Sequence, residues 1–128
     1  MTTRTSSTLV QYYALVDSGD VEAALALLAD DVDFAISLPG STRRGNDRDG
    51  VRAYLSGRGP VQRRHVPLRV SVLDDFEFVY GAVTEDDTVT TGHFLASVHI
   101  GDDGFVTAYQ VAFDPELQLL PSETEVVA

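Results

Sequence analysis

The chain has 128 residues, 44% of them apolar, and a formal net charge of −11 at pH 7. Its length is that of one domain, expected to occupy residues 1–128 with a core over about 9–113 and a tail over 115–128. The charge weighs against nucleic acid, the absence of cysteine removes disulfides and thiolate chemistry, and no uncharged apolar run is long enough for a membrane-spanning helix.

The opening segment MTTRTSST is polar and has no apolar leader core, so a cytoplasmic protein is expected. Leu9, Tyr12, Tyr13 and Val16 then recur at i, i+3, i+4, i+7, which predicts an amphipathic helix with both tyrosines on its buried stripe. Ser18-Gly19 ends it, and Asp20 is a good cap for a second helix. Val21, Ala24, Leu25 and Leu28 give that helix one apolar face, and Asp30-Asp31 closes it. Val32, Phe34 and Ile36 alternate as a strand, with Asp33 on the opposite face.

Pro39-Gly40-Ser41 is a turn, and Thr42 to Gly45 has room for a very short strand. Asn46 or Asp47 caps a third helix running to about Ser56, with Val51, Tyr54 and Leu55 inward; Gly57, Gly59 and Pro60 stop it. The remainder alternates with period two. Val66, Leu68, Val70 and Val72 lead to a turn at Asp74-Asp75. Phe76, Phe78 and Tyr80 run toward Val83, and Glu85-Asp86-Asp87 turns the chain again. Phe94, Ala96, Val98 and Ile100 are followed by Gly101-Asp102-Asp103-Gly104, then Tyr109, Val111 and Phe113. Strands joined by short acidic or glycine turns predict an antiparallel meander. Helices first and strands later predict an α+β fold with helices on one face of a curved sheet.

The nine basic residues are all arginine, and eight lie between Arg43 and Arg69; from Val70 onward there are twelve acids and no base. Solvated helix faces paired with those acids account for this distribution; an anion or carboxylate site, or a dimer contact, is the sharper alternative.

The element order, with Gly19-Asp20, Leu28-Ala29-Asp30-Asp31, Arg44-Gly45 through Tyr54, and Arg64-His65-Val66, resembles the SnoaL-like and ketosteroid-isomerase-like members of the NTF2-like superfamily. The resemblance spans Leu9 to Phe113. It implies a cone: three N-terminal helices on a strongly curved, mainly antiparallel sheet around an apolar cavity. It further implies polyketide-, steroid- or terpenoid-like substrates, a place in secondary metabolism, and a homodimer formed through the outer sheet face. Residues expected to line the cavity are Tyr13, Phe34, Ile36, Tyr54, Phe94 and Tyr109.

The superfamily's chemistry does not carry over intact. Tyr12 lines up with the isomerase tyrosine that donates to an enolate oxygen. The isomerase general-base aspartate, however, falls on Ile36, its second oxyanion acid near Ala96, and the cyclase acid/base aspartate near Val111. A tyrosine followed five residues later by an aspartate, with a histidine on the strand after the third helix, is similar to the scytalone-dehydratase-like branch. Tyr12, Asp17 and His65 have that spacing.

A proton-moving site needs a base that titrates near neutrality, a partner that orients it and a donor for the developing oxyanion. His65, Asp17 and Tyr12 supply those roles without a cofactor or metal, in a dehydratase, isomerase or cyclase. The same residues also serve as a surface histidine, a helix-junction cap and a core aromatic. His65 shares strand parity with Arg63, Arg69 and Ser71, opposite Val66 and Leu68, unless Pro67 permits a bulge. His93 and His99 fall opposite Phe94, Ala96 and Val98 and are expected on the outer face. A non-catalytic binding or scaffold protein of the same fold is the alternative function, and a cavity collapsed on its own aromatics would leave an interaction module.

Overall fold

The computed structural model describes residues 6–58, 62–86 and 89–121. Three helices, α1 (Thr8–Asp17), α2 (Val21–Leu25) and α3 (Arg48–Ser56), pack on one curved, unclosed sheet of six strands. The strands are β1 (Leu28–Leu38), β2 (Ser41–Gly45), β3 (Arg63–Val72), β4 (Phe76–Glu85), β5 (Val89–Ile100) and β6 (Val106–Asp114). Their order across the sheet is β2-β1-β6-β5-β4-β3. The expected meander is β3 to β6, antiparallel throughout. β1 closes the arrangement by pairing parallel to β6, and β2 folds back antiparallel on β1. The result is the expected α+β cone.

Helix α1 follows from its stripe: Leu9, Tyr12, Tyr13 and Val16 are all buried. Ser7 caps it by accepting from the Val10 N–H at 3.0 Å. A second cap comes from the sheet. Glu77 of β4 is fully buried and accepts from Ser7 Oγ (2.8 Å), the Thr8 N–H (3.1 Å) and the Leu9 N–H (2.9 Å). A carboxylate facing the amide end of a helix satisfies orphan donors and complements the helix dipole. At the other end Gly19 adopts φ +88°, and the N–H groups of Gly19 and Asp20 donate to the carbonyls of Val16 and Leu15. This 6→1 and 5→2 pattern needs a left-handed residue, which glycine supplies without strain.

Two sequence expectations shift, and the faces of β4, which alternation left open, are assigned. Leu28 does not extend α2; the helix ends at Leu25, and Leu28 opens β1 opposite Val106. A short apolar run with 3.6-residue spacing fits either state, and pairing to β6 decides it. On β4 the aromatic series Phe76, Phe78 and Tyr80 lies on the outer face, and Glu77, Val79, Gly81 and Val83 face the core. Of the two expected caps of α3, Asn46 and Asp47, it is Asp47 that serves, accepting from the Gly50 N–H at 2.7 Å. Gly59, Pro60, Asp87 and the tail from residue 122 lie outside the described residues.

The second shift concerns β3. Its register against β4 runs His65↔Val83 and Pro67↔Gly81, then slips so that Arg69 faces Tyr80, Val70 faces Val79 and Val72 faces Glu77. Residues opposite each other in an antiparallel pair share a face. The inward set on β3 is therefore Arg63, His65 and Pro67 before the slip, and Val70 and Val72 after it. A bulge at Leu68 reverses the parity that strict alternation would impose. The N-terminal half of β3 thereby presents polar side chains to the interior.

Candidate functional site

Helices and sheet enclose a cavity of about 510 Å³, within the usual range for small-molecule sites. Its floor is apolar. Ile36, Val111 and Ala96 stand directly opposite one another across β1, β6 and β5. They form one buried aliphatic row, of which Ile36 and Val111 line the cavity.

The polar wall is built by α1 and β3. Asp17, the last residue of α1, accepts from the His65 ring at Nδ1 (2.8 Å) with one oxygen and from the His65 main-chain N–H (2.6 Å) with the other. A carboxylate only accepts, so in the neutral ring Nδ1 carries the proton and Nε2 has the lone pair. The His65 and Asp17 side chains are only 12% and 14% exposed, and His65 lines the cavity. Its ring stacks on Tyr13 at 4.3 Å between centroids and 18° between planes, and meets the Phe94 ring edge-on at 5.2 Å. The imidazole is thus fixed in position, tilt and tautomer.

Three phenols complete this end. Tyr13 and Tyr109 share a hydrogen bond of 2.5 Å between their hydroxyls. Tyr12 packs beside both rings, 5.2 Å from Tyr13 and 5.6 Å from Tyr109. The Tyr12 hydroxyl has no hydrogen-bond partner among the described residues and lines the cavity. Burial pushes all three phenols well above their ordinary value, so they are neutral donors at physiological pH. Arg58 partly offsets this at Tyr12. The pair Tyr13–Tyr109 uses one of its two protons internally and keeps one to offer.

Of the residues predicted from sequence, Tyr12, Tyr13, Ile36, Tyr54, His65, Phe94 and Tyr109 all line the cavity. Asp17 stands behind His65 rather than in the wall. Phe34 does not line this cavity. Its ring fills the space beside Gly45 and Gly50, where an added Cβ would come within 2.5 and 3.0 Å of it, and so plugs the closed end under α3. His93 lies on the outer face as expected but is covered there, stacked on Tyr80 at 5.8 Å. His99 is exposed and bonds Thr107.

The cavity rim entered the sequence reading only as an alternative, an anion or carboxylate site among the crowded arginines. Arg43, Arg58, Arg63 and Glu85 lie there, with Arg63 and Glu85 paired at 3.6 Å. Only the crowding of arginines between residues 43 and 69 hinted at them. Among the described residues, no cluster of three or more histidine or acidic side chains could hold a metal ion. No described helix is long and apolar enough to cross a membrane.

A six-stranded cone with helices across its open face and a deep cavity defines an NTF2-like protein. Within that class, the SnoaL-like domain model matches residues 9–113, and the chain belongs to that family. No curated protein sequence matches the chain. Several solved structures share the fold. A proposed ketosteroid isomerase from Kribbella flavida DSM 17836 superposes with a TM-score of 0.67 at 18% identity, covering 94% of this chain and 85% of that one. A proposed polyketide cyclase from Sinorhizobium meliloti gives 0.62 at 16%, covering 81% and 92%. An NTF2-like protein of unknown function from Burkholderia pseudomallei K96243 gives 0.67 at 22%, covering 84% and 88%. At these identities the likeness is one of fold.

Proposed function

We propose that this protein is a small cofactor-independent acid–base enzyme acting on an apolar cyclic molecule that carries a carbonyl group. The observation that carries the reading is His65 in the wall of an apolar cavity, held from behind by Asp17, with neutral phenols beside it. His65 Nε2 removes a proton from the carbon next to the carbonyl. The oxygen gains charge and takes a hydrogen bond from Tyr12. The imidazolium, steadied by Asp17, then returns its proton. Delivered to a departing β-hydroxyl, that proton leaves as water and a conjugated double bond remains. Delivered to a more distant carbon, it shifts the double bond. Either outcome is balanced and needs no redox partner. The aliphatic row Ile36–Val111–Ala96 supports chemistry at the α1–β3 wall rather than on the sheet floor.

The test is turnover on a panel of cyclic β-hydroxyketones and unconjugated enones, followed by the ultraviolet absorbance of the conjugated product. Turnover by the native protein that is lost in His65→Ala is expected. Saturable binding of these compounds with no turnover by the native protein would instead favour the non-catalytic binder of the same fold.

The outer sheet face supports the second part of the reading, a homodimer. Phe78 and Leu95 are 39% and 51% exposed there. Sedimentation of the native protein against Leu95→Glu tests it: a dimer that becomes a monomer is expected, and a native monomer would refute it.

A further inference from the structure

The net charge of −11 conceals a local excess of the opposite sign, since Arg43, Arg58 and Arg63 line the same cavity. They sit at its outer rim: Arg43 is exposed and the other two are half-buried, whereas Tyr13 and His65 lie deeper. Arg43 stands directly across from Ile36 in the β1–β2 ladder and so shares the cavity face. Arg58 follows Gly57, which closes the C-terminus of α3.

The pairing of the arginines separates two groups. Arg52 grips Glu22 through two hydrogen bonds of 2.9 and 3.0 Å, and Arg48 meets Asp30 at 3.1 Å, both away from the cavity. At the rim only Arg63 has a carboxylate, Glu85, at a loose 3.6 Å. Among the described residues Arg43 and Arg58 have none. Among the described residues Arg58 Nε, like Arg48 Nε, is buried without a hydrogen-bond partner, but Arg48 spends its Nη2 on Asp30 and the Leu28 carbonyl, and Arg58 has no such partner. A buried guanidinium donor without an acceptor is unfavourable, and none of the described residues relieves it. Its planar fork matches a carboxylate through two parallel hydrogen bonds.

We infer that the cavity receives an amphiphilic carboxylate, its apolar rings against Ile36 and Phe94 and its anionic end on Arg58, with Arg43 beside it. The assignment deepens the proposed function by naming the charge of the substrate. It rests on that reading for the direction of the carbonyl toward Tyr12; the binding itself is independent of turnover.

Calorimetry with three probes of one ring system tests it: 2-naphthoate, its methyl ester and 2-naphthyl phosphate. The carboxylate is expected to bind the native protein at least about tenfold more tightly than the ester, and more tightly than the phosphate. Arg58→Gln should abolish the preference for carboxylate over ester and leave ester affinity within about twofold, which also shows that the cavity is still folded. Arg43→Gln, at an exposed position, should reduce the preference in part. Arg52→Gln, on the outer surface of α3, should change nothing. Equal binding of carboxylate and ester, tighter binding of the phosphate, or equal loss for both carboxylate and ester in Arg58→Gln would overturn the inference, as would no binding of the carboxylate. Carboxylate preference without any turnover would remove the enzyme reading alone. Turnover restricted to uncharged substrates would remove this inference alone.

Discussion

Asp17 holds His65 at two points, one carboxylate oxygen on the ring Nδ1–H and the other on the main-chain N–H. The second bond ties the end of α1 to the start of β3, so the carboxylate orients the imidazole and locates the strand together. Replacing Asp17 with Asn removes the charge and offers a donor where an acceptor is needed. Turnover is expected to fall by about 10²-fold or more, with the substrate KM little changed. His65→Ala should lose at least as much. The check is kcat and KM for both variants beside thermal denaturation; a variant that retains native kcat removes that residue from the mechanism.

Tyr12 and Tyr109 separate two kinds of phenol. Tyr12 has no protein partner for its hydroxyl among the described residues, whereas Tyr109 is bonded to Tyr13. Tyr12→Phe is expected to cut kcat by about 10²–10³-fold, the range for losing one oxyanion donor. Tyr109→Phe leaves the Tyr13 hydroxyl free to serve the substrate and should cost less. Steady-state kinetics of the two variants decides the order, and the reverse order would assign the donor role to the Tyr13–Tyr109 pair.

Glu77 is the principal anchor of α1. Its removal leaves a partly buried main-chain donor at Thr8 and a buried one at Leu9 without their acceptor. Glu77→Leu is expected to destabilise the fold by roughly 2–5 kcal/mol, from two orphaned donors. Glu77→Gln keeps an acceptor and should lose less. Urea denaturation measures both; a loss below about 1 kcal/mol for Glu77→Leu would show that Ser7 and solvent suffice as the cap.

Alkaline pH should unfold this protein through its tyrosines. Burial raises the Tyr12, Tyr13 and Tyr109 phenols above their ordinary value of 10.0. The folded state therefore keeps protons that the unfolded chain releases. The stability from this source is complete below about pH 10 and is lost as the pH rises toward the folded-state values. The urea midpoint is expected to fall steeply above about pH 10, and less steeply in Tyr109→Phe. Equal slopes would mean that these phenols do not govern the alkaline limit.

The sequence made the α1 stripe legible because 3.6-residue spacing maps directly onto one face, and Tyr12 and Tyr13 were placed correctly as buried aromatics. Capping chemistry narrowed the start of α3 to Asn46 or Asp47 and pointed to Gly19 as the end of α1. His65 was harder. Period-two alternation groups it with Arg69 and Ser71, and only the bulge at Leu68 separates them. A bulge is a property of a pair of strands and leaves no trace in one strand's pattern beyond Pro67. Glu77 was invisible for a related reason, since a buried acid reads as a solvent-facing position until the helix it caps is docked on it. The rim arginines share the problem: whether an arginine is paired depends on acids distant in the chain, and Arg52 and Arg58 look alike in sequence.

Because Glu77 secures one end of α1 and the Asp17–His65 pair secures the other, this helix is a bar pinned at both ends. It cannot swing aside like a door without breaking buried hydrogen bonds at one of them. The arginines that meet a ligand's charged end, Arg43 on β2 and Arg58 after α3, belong to other elements, so the histidine's mount and the anion's seat are built independently.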